Sequence, residues 1–180
     1  MKVLLLLRHA KAVRDPVDDD AARPLSPDGE DAAARMGRFL AAAGVVPDAL
    51  LTSPALRARD TLERVAAAAG WEGPRQERPF YETTPAGVLA CLRELPGSVD
   101  VALAVGHEPT WSETASRLID GGSLKLSTGA VAAIGLDIQG WGALAGGRGE
   151  LLWLVAPKLL PRTGDIAAKS PHGHPVVTGR

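Results

Sequence analysis

The chain of 180 residues contains a single cysteine, Cys91, so it forms no internal disulfide. A lone thiol fits a reducing compartment, and a cytoplasmic location is the simplest expectation. No apolar run approaches the roughly 20 residues of a membrane span, so no membrane partner is expected. Neither sign of charge is in excess: 20 Lys and Arg against 21 Asp and Glu leave a formal charge of −1. That balance gives no reason to expect a nucleic-acid partner. Aromatics are few, at 4%. The Gly-x-Gly-x-x-Gly turn of a dinucleotide site is missing after the first apolar run. No internal repeat is visible. Apolar residues, at 46%, suffice for one ordinary core. A single domain over 1–160 is expected, with 161–180 as a flexible C-terminal tail rich in Pro and Gly.

The apolar run Val-Leu-Leu-Leu-Leu over 3–7, broken at once by Arg8-His9, has the pattern of a strand buried on both faces. Lys2 before it also suits a signal peptide. The run is shorter than an h-region of roughly 7–15 residues, however, and charge stands where a cleavage site belongs. Residues 11–24 read as a loop, with Asp18-Asp19-Asp20 as a solvated surface. Ser26-Pro27 opens a helix to about residue 43, with Ala33, Met36, Phe39, Leu40 and Ala43 on its inner face. A short strand over 49–52 is followed by a second start signal, Ser53-Pro54, and a helix to about residue 69, with an Asp60–Arg64 pair outside. A weak strand is expected over 78–81, a helix from Thr84-Pro85 to 95, a strand over 100–105, a helix over 109–119, and closing strands over 128–137 and 150–155. Strands alternating with helices predict a three-layer α/β/α sandwich with a mostly parallel sheet.

In such folds ligands bind beyond the carboxyl ends of the strands. Four chemically capable residues fall there: His9, Arg57, Glu82 and His107. Arg8, Arg57 and His107 can all be cationic, and the start of the helix carrying Arg57 adds N–H groups. A cluster of cations in a cleft repels itself when empty and suits a multiply charged anion such as a phosphoryl group. The dull reading of Arg57 is an ion pair with Asp60 or another acid. Trp111 reads as core or pocket edge. Trp71, Trp141 and Trp153 read as packing or surface patches, and Cys91 as a small core residue. His172 and His174 fall in the tail and make a poor metal clip.

The stretches Leu6-Leu7-Arg8-His9-Ala10, Arg23-Pro24-Leu25-Ser26 to Gly29, Ser53-Pro54-Ala55-Leu56-Arg57-Ala58 to Thr61 and Val105-Gly106-His107 resemble the histidine phosphatase superfamily, with its phosphoglycerate mutase-like fold. Within it they look most like the SixA-type phosphohistidine phosphatases. The resemblance implies that His9 is the nucleophile that becomes phosphorylated. It implies that Arg8, Arg57 and His107 bind the phosphoryl group, that Glu82 transfers the proton, and that Arg23 lines the pocket mouth. Ala10 departs from the usual glycine after the histidine, which puts in doubt how closely the backbone approaches phosphate. Glu108 rivals Glu82 as the acid.

The expected chemistry is in-line attack by a neutral His9 whose second nitrogen donates to a backbone carbonyl, then hydrolysis of phospho-His9 by water with Glu82 as base. No cofactor and no metal are expected, because the cations stabilise the charge. The short chain leaves little room for a lid, which points to phosphohistidine on a protein as substrate. The alternatives are a phosphomonoesterase for small phosphate esters such as nucleotides or sugar phosphates, and a non-catalytic phospho-binding module. A monomer or weak dimer is expected.

Overall fold

The computed structural model describes residues 1–14, 19–73 and 75–162. The expected flexible tail, apart from its first two residues, and His172 and His174 lie outside the described residues. Six strands, β1 (Lys2–Arg8), β2 (Ala49–Thr52), β3 (Arg75–Glu77), β4 (Val101–Gly106), β5 (Val131–Leu136) and β6 (Gly149–Val155), form one sheet in the order β3-β2-β4-β1-β5-β6. The first four in that order pair in parallel, and β5 and β6 join antiparallel. Among the described residues four α-helices, α1 (Pro27–Ala42), α2 (Leu56–Ala69), α3 (Pro85–Leu92) and α4 (Thr110–Leu118), cover the sheet. The fold is the three-layer, mostly parallel α/β/α sandwich. No helix among the described residues is long and apolar enough to cross a membrane.

β1 shows why the sheet is central. Its side chains alternate across the sheet plane with period two. Leu4 and Leu6 enter the core with Val88, Leu89, Leu92 and Trp111 of α3 and α4. Leu5 and Leu7 enter the opposite core with Met36 and Leu40 of α1 and Leu62 and Val65 of α2. Both faces are therefore dry, as the unbroken apolar run implies. Cys91, Trp111 and Trp141 are buried in the first core. The Trp111 indole lies so close over Gly106 that a methyl there would sit 2.2 Å from the ring.

Local chemistry sets the helix starts. Ser26 Oγ accepts from Gly29 N–H at 3.2 Å and Thr84 Oγ1 from Gly87 N–H at 3.2 Å, each with Pro at the first helical position. The second start signal behaves differently. α2 begins at Leu56, after an Ala55 cap with no side-chain bond, and Ser53 remains at the end of β2. Other corrections are small. Ala43 is exposed past the end of α1, and α3 ends before 95. The third strand lies over Arg75–Glu77 rather than 78–81. There the apolar signal came from Phe80, which is buried edge-on against Trp111 instead of sitting in a strand. Arg64 pairs with Glu30 of α1 at 3.0 Å, not with Asp60.

α1 and α2 touch closely at Gly37, where a Cβ would lie 2.2 Å from the Val65 carbonyl oxygen. Helix propensity alone would make Gly37→Ala stabilising by roughly 0.5–1 kcal/mol. The contact reverses that sign. Gly37→Ala is expected to destabilise the fold by about 1–3 kcal/mol in a urea titration, the usual cost of overpacking. A stabilised variant would show that α1 and α2 do not pack this way.

Candidate active site

The carboxyl ends of β1, β2 and β4 deliver the site. β1 ends in Arg8 and is followed by His9, whose backbone is held on both sides. Its N–H donates to Gly106 at 3.0 Å, and its carbonyl accepts from Gly129 N–H at 3.1 Å. The His9 Nδ1 lies 2.7 Å from the Ala10 carbonyl oxygen. A carbonyl only accepts, so Nδ1 carries the hydrogen and Nε2 carries the lone pair. Burial lowers the His9 pKa from 6.5 to about 4; the bond to Ala10 works against this, and the charges of Arg57, Arg8 and Arg23 add to the lowering. His9 is therefore neutral at pH 7. The Ala10 side chain is buried in the core beneath α1 and α2, and its N–H donates to Thr61 Oγ1 at 2.9 Å. The alanine that replaces the usual glycine thus packs into the core.

His107 follows β4, with its ring 5.0 Å from that of His9. Its Nε2 is 2.8 Å from Ser53 Oγ, and its buried Nδ1 has no partner among the described residues. Counting His107 among the cations needs correction. Burial, the neighbouring His9 and the Arg57 charge depress its pKa to about 3, only partly opposed by Asp20. It is a neutral donor at pH 7.

Arg57, in the first turn of α2, is 5% exposed. It meets neither Asp60 nor open solvent. Its guanidinium donates to the Asp20 carbonyl at 2.6 Å and to Asp20 Oδ2 at 2.9 Å, and it lies 5.7 Å over the Tyr81 ring. Asp20 Oδ2 also accepts from Tyr81 at 2.9 Å, and Oδ1 from Arg23 Nε at 2.7 Å. Asp20 is thus no bystander of a solvated run, although its neighbour Asp19 only caps a short helical turn. Burial pushes the Asp20 pKa up, but the Tyr81 hydroxyl, Arg57 and Arg23 outweigh it and hold the carboxyl below its usual range. Asp18 lies outside the described residues.

Arg8 donates to the Leu126 carbonyl at 2.8 Å, and its Nε is buried without a partner among the described residues. Arg23 is half-buried and also donates to the Val13 carbonyl at 3.2 Å.

The two candidate acids separate by their bonds. The Glu108 carboxylate accepts from Ser112 N–H at 3.1 Å and Ser112 Oγ–H at 2.6 Å, at the start of α4. Ser112 Oγ in turn accepts from Leu126 N–H at 2.9 Å, so Glu108 is committed to holding the 126 loop. Glu82 is exposed and sits at φ 48°, a left-handed conformation uncommon outside glycine and typical of strained functional positions. Both acids line a cavity of about 450 Å³ together with Asp20, Arg57, Tyr81 and His107. His9 adjoins that cavity through His107, and neither it nor Arg8 lines the cavity.

The structure therefore gathers Arg8, His9, Arg57 and His107, with Arg23 and Glu82 at the margin. Ser53, Asp20 and Tyr81 were not expected. Ser53 carried a signal, since it ends β2 as His9 and His107 follow β1 and β4. Asp20 carried none, because nothing in an acidic run says which member turns inward. Among the described residues no three His, Cys, Asp or Glu side chains converge as metal ligands.

The chain is similar to known proteins in both sequence and fold. The model of the histidine phosphatase superfamily (branch 1) matches residues 4–83. A protein of Picosynechococcus sp. is 34% identical over 168 residues, which span 88% of this chain and 99% of that protein. The phosphohistidine phosphatase SixA of Escherichia coli is 29% identical over 160 residues, spanning 86% of this chain and 93% of that one. Among solved structures, the protein histidine phosphatase SixA complexed with tungstate superposes with a TM-score of 0.75 at 28% identity, over 87% of this chain and 98% of that one. Sequence and fold thus agree along nearly the whole described length, and the chain belongs to the histidine phosphatase superfamily and resembles its SixA-type members.

Proposed function

We propose that this protein removes a phosphoryl group from phosphohistidine on another protein, by way of a phosphorylated His9. The observation that carries the reading is the His9 tautomer. Its Nδ1–H is spent on Ala10, so the Nε2 lone pair is free for phosphorus, and the ring stays neutral beside Arg8 and Arg57. In the first step Nε2 attacks phosphorus and the bond to the leaving group breaks. In the second, water attacks the same phosphorus, Glu82 accepts its proton, the P–Nε2 bond breaks, and inorganic phosphate leaves with His9 neutral again. Arg8 and Arg57 stabilise the oxygens of the transferring group, and His107 donates to it as a neutral ring. A protonated phosphoimidazole leaves as a neutral ring and needs no proton from the enzyme, which suits an exposed acid such as Glu82.

Openness supports a protein substrate. Residues 78–84 and 119–130 border the site and contain neither helix nor strand that would close over it. The cavity of about 450 Å³ beside Arg57 and His107 favours a second reading, small phosphate esters, because it could seat a small alcohol or sugar.

His9→Ala should abolish turnover and the acid-labile, alkali-stable phosphoenzyme trapped with labelled substrate; wild-type rate in that variant would end the reading. A higher kcat/KM on a phosphohistidine protein than on a panel of nucleotides and sugar phosphates favours the first substrate class, and the reverse favours the second. Asp20→Ala should lower the inhibition constant of inorganic phosphate roughly 3–10-fold, because the carboxylate no longer competes for Arg57 or repels the anion. An unchanged or raised constant would show that Asp20 instead orients Arg57 for phosphate.

The pH dependence follows from the two depressed histidines. Catalysis needs neutral His9, so kcat/KM should fall as pH drops through about 4. Stability responds earlier. The unfolded chain takes up protons at its histidines near 6.5, whereas the folded rings resist them until about 4 and about 3. The contribution is fully present above 6.5 and is lost as pH falls below it. Urea midpoints measured from pH 7.5 to 4.5 should decline, and His9→Ala should flatten the decline.

A further inference from the structure

We infer that Ser53 is a positioning residue: its hydroxyl donates to Nε2 of His107 and holds that ring as the Nδ1–H tautomer, the form with a donor left for a phosphoryl oxygen. The inference rests on the phosphoryl-transfer reading of the site and assigns the tautomer of its second histidine.

Ser53 is fully buried at the end of β2. Its Oγ already accepts from Ala55 N–H at 3.2 Å. Its single hydrogen needs an acceptor, and among the described residues the atom in reach is His107 Nε2 at 2.8 Å. The opposite assignment aims two N–H groups at one hydroxyl oxygen and leaves the hydroxyl hydrogen buried and unbonded, which is costly. It would also leave His107 Nδ1 as a bare lone pair without a described donor, and a lone pair repels an anion. With Ser53 donating, Nδ1–H is the ring's one unspent polar atom, on a side chain that lines the cavity and lies beside His9. Burial keeps the ring neutral, so it has a single hydrogen to place, and Ser53 decides where. The helix start supports the same division of labour. Ser53 does not cap α2, which begins three residues later behind an uncapped Ala55.

The test is ¹⁵N NMR of the histidine rings in the full-length protein. For wild type a pyrrole-type shift at Nδ1 and a pyridine-type shift at Nε2 of His107 are expected, with the Nδ1–H signal moving when inorganic phosphate is added. In Ser53→Ala the two tautomers should mix, and kcat on p-nitrophenyl phosphate should fall roughly 10–100-fold with a smaller change in KM. Ser53→Thr, which keeps the hydroxyl, should keep the wild-type tautomer. A wild-type His107 found as the Nε2–H tautomer overturns the inference, and this needs no variant to fold. So does Ser53→Ala that retains both the Nδ1–H tautomer and full kcat. Wild type that shows the Nδ1–H tautomer but forms no phospho-His9 counts against the mechanism of His9 and leaves the tautomer of His107 standing.

Discussion

The bond from His9 Nδ1–H to the Ala10 carbonyl is the constraint on which the site depends. An imidazole has two nitrogens and, when neutral, one hydrogen. A nucleophile needs the hydrogen on the nitrogen that faces away from phosphorus. A side-chain acceptor can titrate or rotate; a backbone carbonyl does neither. That carbonyl is positioned by the chain on either side of it. His9 is tied to Gly106 and Gly129, and Ala10 to Thr61 and the core beneath α1 and α2. Thr61 in turn donates to the Arg57 carbonyl at 2.6 Å, so the same hydroxyl links the Ala10 backbone to the helix that supplies the guanidinium.

Charge is arranged around that neutral ring with a consistent logic. Arg8 and Arg57 are fixed cations, and burial leaves both histidines neutral between them. Had the histidines been charged, four positive groups would share one cleft. Keeping two of them neutral lets the site hold donors at high density with one repelling pair of cations in place of six. Asp20 supplies the remaining compensation: its carbonyl and carboxylate each accept one N–H of Arg57, and Tyr81 and Arg23 hold it there. A phosphoryl group seeking Arg57 meets a ready-made anion in its path.

The parts legible in the sequence are those that repeat a local rule. The Leu4 to Leu7 run reads as a doubly buried strand because both faces are dry, and the Ser-Pro and Thr-Pro starts of α1 and α3 act within three residues. Arg8, His9, Arg57 and His107 lie close to one another because strand ends converge by topology. What escaped the sequence depends on distant partners. Phe80 looked like strand and is core because Trp111 stands across from it. Arg64 pairs with Glu30 through the packing of α1 on α2. The neutrality of His107 is not legible in the sequence, because residue type gives an ordinary pKa and only the fold supplies the desolvation.

Ser53 shows how one residue can satisfy a local rule and still be used by the tertiary structure. A serine before proline at the head of a helix reads as a cap, and in α1 the same pair is one. After β2 the chain bends at Pro54 and Ala55, and the helix starts without a side-chain cap. Losing that cap typically costs about 1 kcal/mol. The Ser53 hydroxyl instead meets His107, which follows the neighbouring strand β4. A cap forgone beside a bond made to a neutral, buried ring is what selection on the site, rather than on the helix, would leave behind. Departures from local rules of this kind mark where the fold has been bent toward chemistry.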